Sequence, residues 1–250
     1  MVKEKIQKRE VQNEQKPKKE KKKKSDSEKK SRRAKQIKVL KIGLLSIALF
    51  LTVVYFLLKV LYNPGDFTVF LGNDFSRDNG IVMYESIKDK KQKKILAAST
   101  LPSMDNISID WIPKDINDEK DGSHNGDNYM AYTFYIEHEG IEPLNYWYSI
   151  YIDNVFKNVD EAIRVAVYLN GQETVYAKLN KNGNPERGTK PFYSADRILL
   201  EEREDIKPGD IDKFTIVIWI EGDDPDCLDP LIGGTMKMHM EITDEKNITT

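Results

Sequence analysis

Apolar and polar positions change their rhythm twice along the chain. Few apolar residues precede Ile37, and the stretch from Ile42 to Leu58 (IGLLSIALFLTVVYFLL) then runs for 17 residues without a charge. As a helix the uncharged core spans ~25 Å, and the wider stretch from Val39 to Tyr62 spans ~36 Å at ~1.5 Å per residue. These lengths bracket a bilayer core, so residues 39–62 are expected to form one transmembrane helix. Lys41 and Lys59 are placed to snorkel to the two interfaces and Tyr62 to sit at one of them. From Tyr129 the period is two. Met130, Tyr132, Phe134 and Ile136 alternate with Ala131, Thr133, Tyr135 and Glu137, and Tyr146, Tyr148, Ile150 and Ile152 alternate with Trp147, Ser149, Tyr151 and Asp153. Both patterns predict strands.

Turn residues mark the ends of further strands. Ala162–Leu169 (AIRVAVYL) runs into Asn170-Gly171, a dipeptide that adopts positive φ cheaply in a tight hairpin, and Glu173–Leu179 returns from it. Lys207-Pro208-Gly209-Asp210 has the order of a type II turn. It launches Asp212–Ile220 (DKFTIVIWI), apolar on both faces and therefore a central strand, with Trp219 expected between two packed layers. Gly234–Ile242 closes the series, with Met236, Met238, Met240 and Ile242 on one face. Earlier, Phe67–Leu71 and Ile81–Ile87 are compatible with strands, whereas Lys88–Lys94 and the Gly-, Asn- and Asp-rich loop Asp115–Asn128 should lie at the surface. Short strands with turn signals and no long amphipathic helix predict a mainly β domain, an antiparallel β-sandwich of jelly-roll or Ig-like type. The expected organisation is a tail over 1–38, the membrane helix over 39–62, a membrane-proximal part with polar loops over 63–128, the sandwich core over 129–243, and a flexible C-terminus over 244–250.

Charge gives this layout a direction. Met1–Lys41 holds 18 Lys and Arg against 6 Asp and Glu, a net of +12, so the overall charge of −2 leaves −14 for the rest. A segment this polar cannot offset its chain entropy by burial and is expected to be disordered. Basic residues beside a membrane helix stay in the cytoplasm, which places the acidic β domain outside the plasma membrane. Beside a membrane, the lysines suit anionic lipid head groups better than nucleic acid, each contributing ~1 kcal/mol near the surface. Cleavage as a secretory signal would require small residues after the apolar core. Lys59, Val60, Leu61 and Tyr62 are large, so the helix is read as an uncleaved signal anchor.

The run Phe214–Ile242 (FTIVIWIEGDDPDCLDPLIGGTMKMHMEI), with AIRVAVYLNGQETVYAKL before it and the KPGD turn between, resembles the extracellular β-sandwich proteins of Gram-positive bacteria related to TasA and camelysin. The resemblance covers about residues 129–242 and implies a surface or biofilm-matrix role, in some members assembly into fibres. It also implies a cleaved signal, from which this chain departs. Camelysin relatives have been described as proteases, but the chain has no H-E-x-x-H signature, so that activity is not carried over.

Candidate chemistry is sparse. The acidic residues Glu221, Asp223, Asp224, Asp226 and Asp229 follow a central strand, and a hard cation such as calcium would relieve their mutual repulsion. They lack the order of an EF-hand loop; the competing reading has them capping backbone amides around Gly222, Pro225, Pro230 and Gly234. His124, His138 and His239 show no metal-ligand spacing and are expected to be exposed and unrelated, with His239 contributing little to stability. Cys227 is the only cysteine, and Asp226 and Asp229 beside it should disfavour the thiolate. No paired nucleophile and base and no phosphate loop appears, so no cofactor and no catalysis are expected. The reading is a non-catalytic structural, adhesion or matrix-interaction protein, meeting other surface proteins through strand edges or the aromatic strand around Tyr146, Trp147, Tyr148 and Tyr151; the alternative is an enzyme or signalling receptor whose site converges from separated residues.

Overall fold

The structure, a computed structural model, describes residues 37–55, 67–72, 75 and 79–244. The expected disordered tail, the last turns of the membrane helix with Lys59 and Tyr62, and the C-terminal residues after Asp244 lie outside the described residues. The chain divides into two units, Met1–Tyr62 and Asn63–Thr250.

In the first unit, helix α1 (Ile37–Tyr55) is long and apolar enough to cross a membrane, and none of its apolar window is buried among the described residues. Its serine and threonine turn back on the helix itself. The Ser46 hydroxyl donates to the Gly43 carbonyl at 2.9 Å and the Thr52 hydroxyl to the Ala48 carbonyl at 2.8 Å, which leaves neither hydroxyl as an unpaired donor on an apolar helix.

The second unit is built from strands β1 (Phe67–Leu71), β2 (Ile81–Tyr84), β3 (Ile95–Ala97), β4 (Gly122–Ser123), β5 (Tyr129–His138), β6 (Leu144–Phe156), β7 (Ile163–Leu169), β8 (Gln172–Ala177), β9 (Lys190–Pro191), β10 (Arg197–Ile206), β11 (Ile211–Ile220) and β12 (Thr235–Thr243). One sheet has the order β10-β6-β12-β1-β3; the other has β2-β5-β11-β7-β8-β9, with β4 also on β5. The inward residues of both sheets form one core. Phe67, Val69, Tyr146, Ile150, Met238, Met240 and Ile242 from the first sheet meet Ile81, Met83, Tyr132, Phe134, Val165, Phe214 and Ile216 from the second. Phe214 stacks on Phe134 at 5.2 Å within its sheet and meets Tyr148 edge-on at 5.3 Å across the gap. A polar link also crosses it. Asp212 of β11 accepts hydrogen bonds from the Tyr146 hydroxyl at 2.7 Å and from Asn170 Nδ2 at 2.6 Å, and pairs with Arg203 at 3.1 Å. Burial beside that carboxylate drives the Tyr146 phenol well above its ordinary pKa, so it stays a donor.

The turns follow the sequence chemistry. Asn170 and Gly171 have φ of 52° and 83°, both in the left-handed region, and join β7 to β8 by the tight hairpin in which Leu169 faces Gln172. Gly209 has φ of 88°, and the Asp210 N–H donates to the Lys207 carbonyl at 2.9 Å, closing the type II turn before β11.

The structure revises three expectations. The sheets are mixed: β1 pairs with β12 and β8 with β9 in parallel. Residues 63–128 are not merely a loop-rich approach to the sandwich, because β1 lies between β12 and β3 while β2 and β4 both pair with β5. The loop Asp115–Asn128, expected at the surface, is not solvated throughout, since Ile116 and His124 are buried. Ile116, with Ile107 and Ile112 before it, forms a second core with Ala131, Ala166, Val217 and Trp219 on the outer face of β5, β7 and β11. Trp219 is therefore buried outside the sandwich rather than between its sheets. This is why β11 is apolar on both faces.

Candidate functional site

The acidic loop that follows β11 is organised around backbone and cationic partners. Glu221 accepts the Trp219 Nε1–H at 3.0 Å and the Ile109 N–H at 3.3 Å on one oxygen, and the Asp223 N–H at 3.1 Å on the other. One carboxylate thus fixes the indole, the start of the 3-10 turn Ile109–Trp111 and the loop itself. Asp223 accepts the Ser108 hydroxyl at 2.8 Å. Asp224 pairs with Arg164 of β7 at 2.5 Å, both groups buried, and accepts the Asp226 N–H at 2.7 Å. Asp226 pairs with Lys181 at 2.5 Å, and Asp229 is exposed at the start of the 3-10 turn Asp229–Leu231.

Of the five carboxylates considered as calcium ligands, only Asp224 and Asp226 come together. They do so with Glu186, the three offering ligand oxygens within 4.8 Å of one another. Arg164 and Lys181 already supply two positive charges there, so a cation would have to displace or out-compete them. Glu186, Arg164 and Lys181 escaped the sequence reading because they reach the loop from other elements, with no local spacing to announce them.

The histidines differ from expectation. His124 is buried, with its ring nitrogens 2.9 Å from the Gly122 carbonyl and 3.1 Å from that of Ile116, and so braces the loop under which Trp219 lies. His138 is buried too, with Nε2 at 2.7 Å from the Glu142 carbonyl and Nδ1 accepting the Gly140 N–H. His239 sits on the outer face of the first sheet in a cluster of aromatic and charged groups. Its ring stacks on Tyr151 at 4.9 Å and takes the edge of Phe70 at 5.6 Å; Nδ1 is 2.7 Å from Asp153 and Nε2 is 3.6 Å from Glu241. The Arg197 guanidinium lies 4.5 Å from the Tyr151 ring centre and 5.6 Å from that of Tyr193. The Glu241 and Asp153 carboxylates raise the His239 pKa against the opposing effect of burial, and His239 in turn lowers that of Glu241. Stacked rings with interleaved charge can recognise a partner. The carboxylates beside His239 favour its protonated form.

Tyr146 and Tyr148 of the aromatic strand point into the core, and β6 is flanked on both sides, so that strand is not an edge available to a partner. Trp147 and Tyr151 are its partly exposed members. Cys227 is half-buried, and burial with Asp224 and Glu221 raises its thiol pKa. The direction is the expected one, but the responsible carboxylates are not those adjacent in sequence.

No protein-family model matches the chain, and no curated protein matches it. Among solved structures it is similar to a β-glucosidase from Kluyveromyces marxianus, as labelled protein and in complex with glucose, at 11% identity and TM-scores of 0.26 and 0.25. It is also similar to a GH31 α-xylosidase from Xanthomonas citri at 14% identity and a TM-score of 0.20. These alignments cover 67%, 66% and 66% of this chain but only 17%, 16% and 14% of those enzymes. Likeness at this level transfers neither activity nor substrate.

Proposed function

We propose that the chain is a single-pass membrane protein of the cell surface, with its lysine-rich N-terminal segment in the cytoplasm, its β domain outside the plasma membrane, and a non-catalytic structural, adhesion or matrix-interaction role. The observation that carries the reading is α1, an apolar helix whose side chains are unburied among the described residues, directly preceded by a segment of strong positive charge. The charge sets the direction of insertion and holds the segment against anionic lipid head groups. The β domain supports the interaction role because Glu221, Asp223, Asp224 and Asp226 of its acidic loop are engaged in holding the fold, while the face bearing Tyr151, Tyr193, Arg197 and His239 combines rings and charge as recognition surfaces do. The resemblance to Gram-positive surface β-sandwich proteins points the same way, with an anchor in place of a cleaved signal.

Membrane fractionation of cells producing an N-terminally tagged chain tests this. The tag and the β domain should stay together in the membrane pellet after alkaline carbonate extraction. A mature N-terminus beyond Tyr62 in most molecules, with the domain in the medium, refutes the anchor and favours a secreted protein.

A further inference from the structure

Strand pairing brings four features to one end of the β domain. Phe67, the first residue of β1, pairs with Met238 near the start of β12, and the start of β12 at Thr235 pairs with Phe156 at the end of β6. The same end holds a cavity of about 150 Å³ between the sheets, with Phe67, Met130, Ile163, Ile218 and Met238 on its floor. Its rim is formed by the loop Leu101–Met104 and by Gly234–Met236. Beside it Phe156, Leu228 and Ile232 are exposed at 55%, 53% and 70%. The rim and these side chains are contiguous, since Gly234 is wedged against Val159 and the Leu231 and Phe156 carbonyls. Lys157 stands among them, donating to the Ile232 carbonyl at 2.7 Å with its ammonium 5.8 Å from the Phe156 ring centre. The exposed acidic residues nearest in sequence are Asp105, Asp229 and Asp153, the last paired with His239.

This end is also the one that the chain enters from α1. Eleven residues, 56–66, separate Tyr55 from Phe67, so the start of β1 is tethered within ~40 Å of the helix end at ~3.3–3.6 Å per residue. Apolar side chains grouped around an apolar opening, with one lysine, form an interfacial patch, whereas single apolar residues scattered over a surface need no explanation. We infer that this end of the β domain docks on the bilayer surface, with Phe156, Leu228 and Ile232 in the interfacial region and the cavity open to the end of one lipid acyl chain. A 150 Å³ apolar cavity accepts a group about the size of benzene, which is one chain terminus and not a whole lipid. With Asp105 and Asp229 set against Lys157, no excess of positive charge draws this end to anionic lipid, so apolar contact drives docking, and zwitterionic lipid suffices. The inference rests on the membrane-anchored reading.

The test uses the full chain in phosphatidylcholine nanodiscs, with Cys227→Ser removing the native thiol and an environment-sensitive fluorophore on Ile232→Cys or Ile141→Cys. Ile141 is 92% exposed and follows β5, whose far end is the opposite end of the domain, so it controls for apolar character without position. The probe at 232 should emit to the blue and be quenched several-fold more than that at 141 by doxyl-labelled lipid, and Phe156→Ser with Leu228→Ser should reduce the quenching. If the serine changes unfold the domain, shown by its circular dichroism, a probe on Phe156→Cys replaces them. Equal and weak quenching at both sites overturns the docking, as does a blue shift at 232 that grows with the number of chains per disc and ignores the quencher, the mark of a second copy. Co-migration with the disc reports anchoring by α1 separately, so loss of docking is distinguishable from loss of the anchor.

Discussion

Trp219 is fixed by a loop on one side and a carboxylate on its edge. Ile107, Ile112 and Ile116 cover the indole, and Glu221 accepts its N–H. Trp219→Ala removes the largest fully buried side chain and leaves a cavity under that loop, at a cost of ~3–5 kcal/mol from the ~5–15 kcal/mol that holds a domain of this kind. Glu221→Gln keeps the shape and weakens a charge-assisted bond, costing ~1–3 kcal/mol. Chemical denaturation should therefore rank Trp219→Ala well below Glu221→Gln, and a near wild-type midpoint for Trp219→Ala would contradict the described burial. That the residue is buried was legible from the alternation in β11. Which layer covers it was not, because the three isoleucines lie in a stretch without period. His239 shows the same limit: alternation put it on the outer face, but Asp153, 86 residues away, left no trace in its neighbourhood. Its contribution should vary with pH. His239 binds its proton more tightly in the folded state, so its contribution is complete below the ordinary value of 6.5 and fades as pH rises through the raised one. For Glu241, whose pKa is lowered, the contribution is complete above 4.5 and fades as pH falls through the lowered value. The pair thus stabilises most between 4.5 and 6.5. His239→Gln should flatten the decline in stability above that window in pH-dependent denaturation, and an unchanged slope would mean that the pair is broken in solution.

At the scale of elements, the hairpin at Asn170-Gly171, the turn at Gly209 and the long strands were legible, since each rests on residues adjacent in sequence. Gly209→Ala should cost ~1 kcal/mol, because φ of 88° is strained for any residue with a Cβ. The parallel place of β1 was hidden. A strand of five residues, FTVFL, pairs with one 171 positions later, Phe67 with Met238, and no local signal encodes such a partner. The consequence is that residues 129–243 should not be a sufficient folding unit. Without β1 and β2 the chain loses buried Phe67, Val69, Leu71, Ile81 and Met83 and leaves β12 and β5 with open edges. A fragment of 129–243 should aggregate or lack a cooperative transition, while one of 63–250 should unfold cooperatively. Cooperative unfolding of the shorter fragment would show that β1 is an accessory strand.

At the scale of the whole molecule, the placement of charge around α1 was visible in composition alone, because membrane insertion reads net features of a segment and not the identity of distant partners. The polar clusters were not visible, because Arg164 with Asp224, Lys181 with Asp226 and Asp153 with His239 are all brought together by strand pairing and loop closure. The central claim is that the β domain lies outside the cell on an uncleaved anchor, and the single native cysteine reports on it directly. A membrane-impermeant maleimide should label Cys227 in intact protoplasts as fully as in permeabilised ones. Because burial and the neighbouring carboxylates raise the thiol pKa, labelling should be slow near neutrality and quicken as pH rises, in both preparations alike. A cysteine introduced by Ser25→Cys into the N-terminal segment, on a Cys227→Ser background, should be labelled only after permeabilisation. The reverse pattern, Cys227 protected until the membrane is opened and residue 25 labelled from outside, would contradict the account.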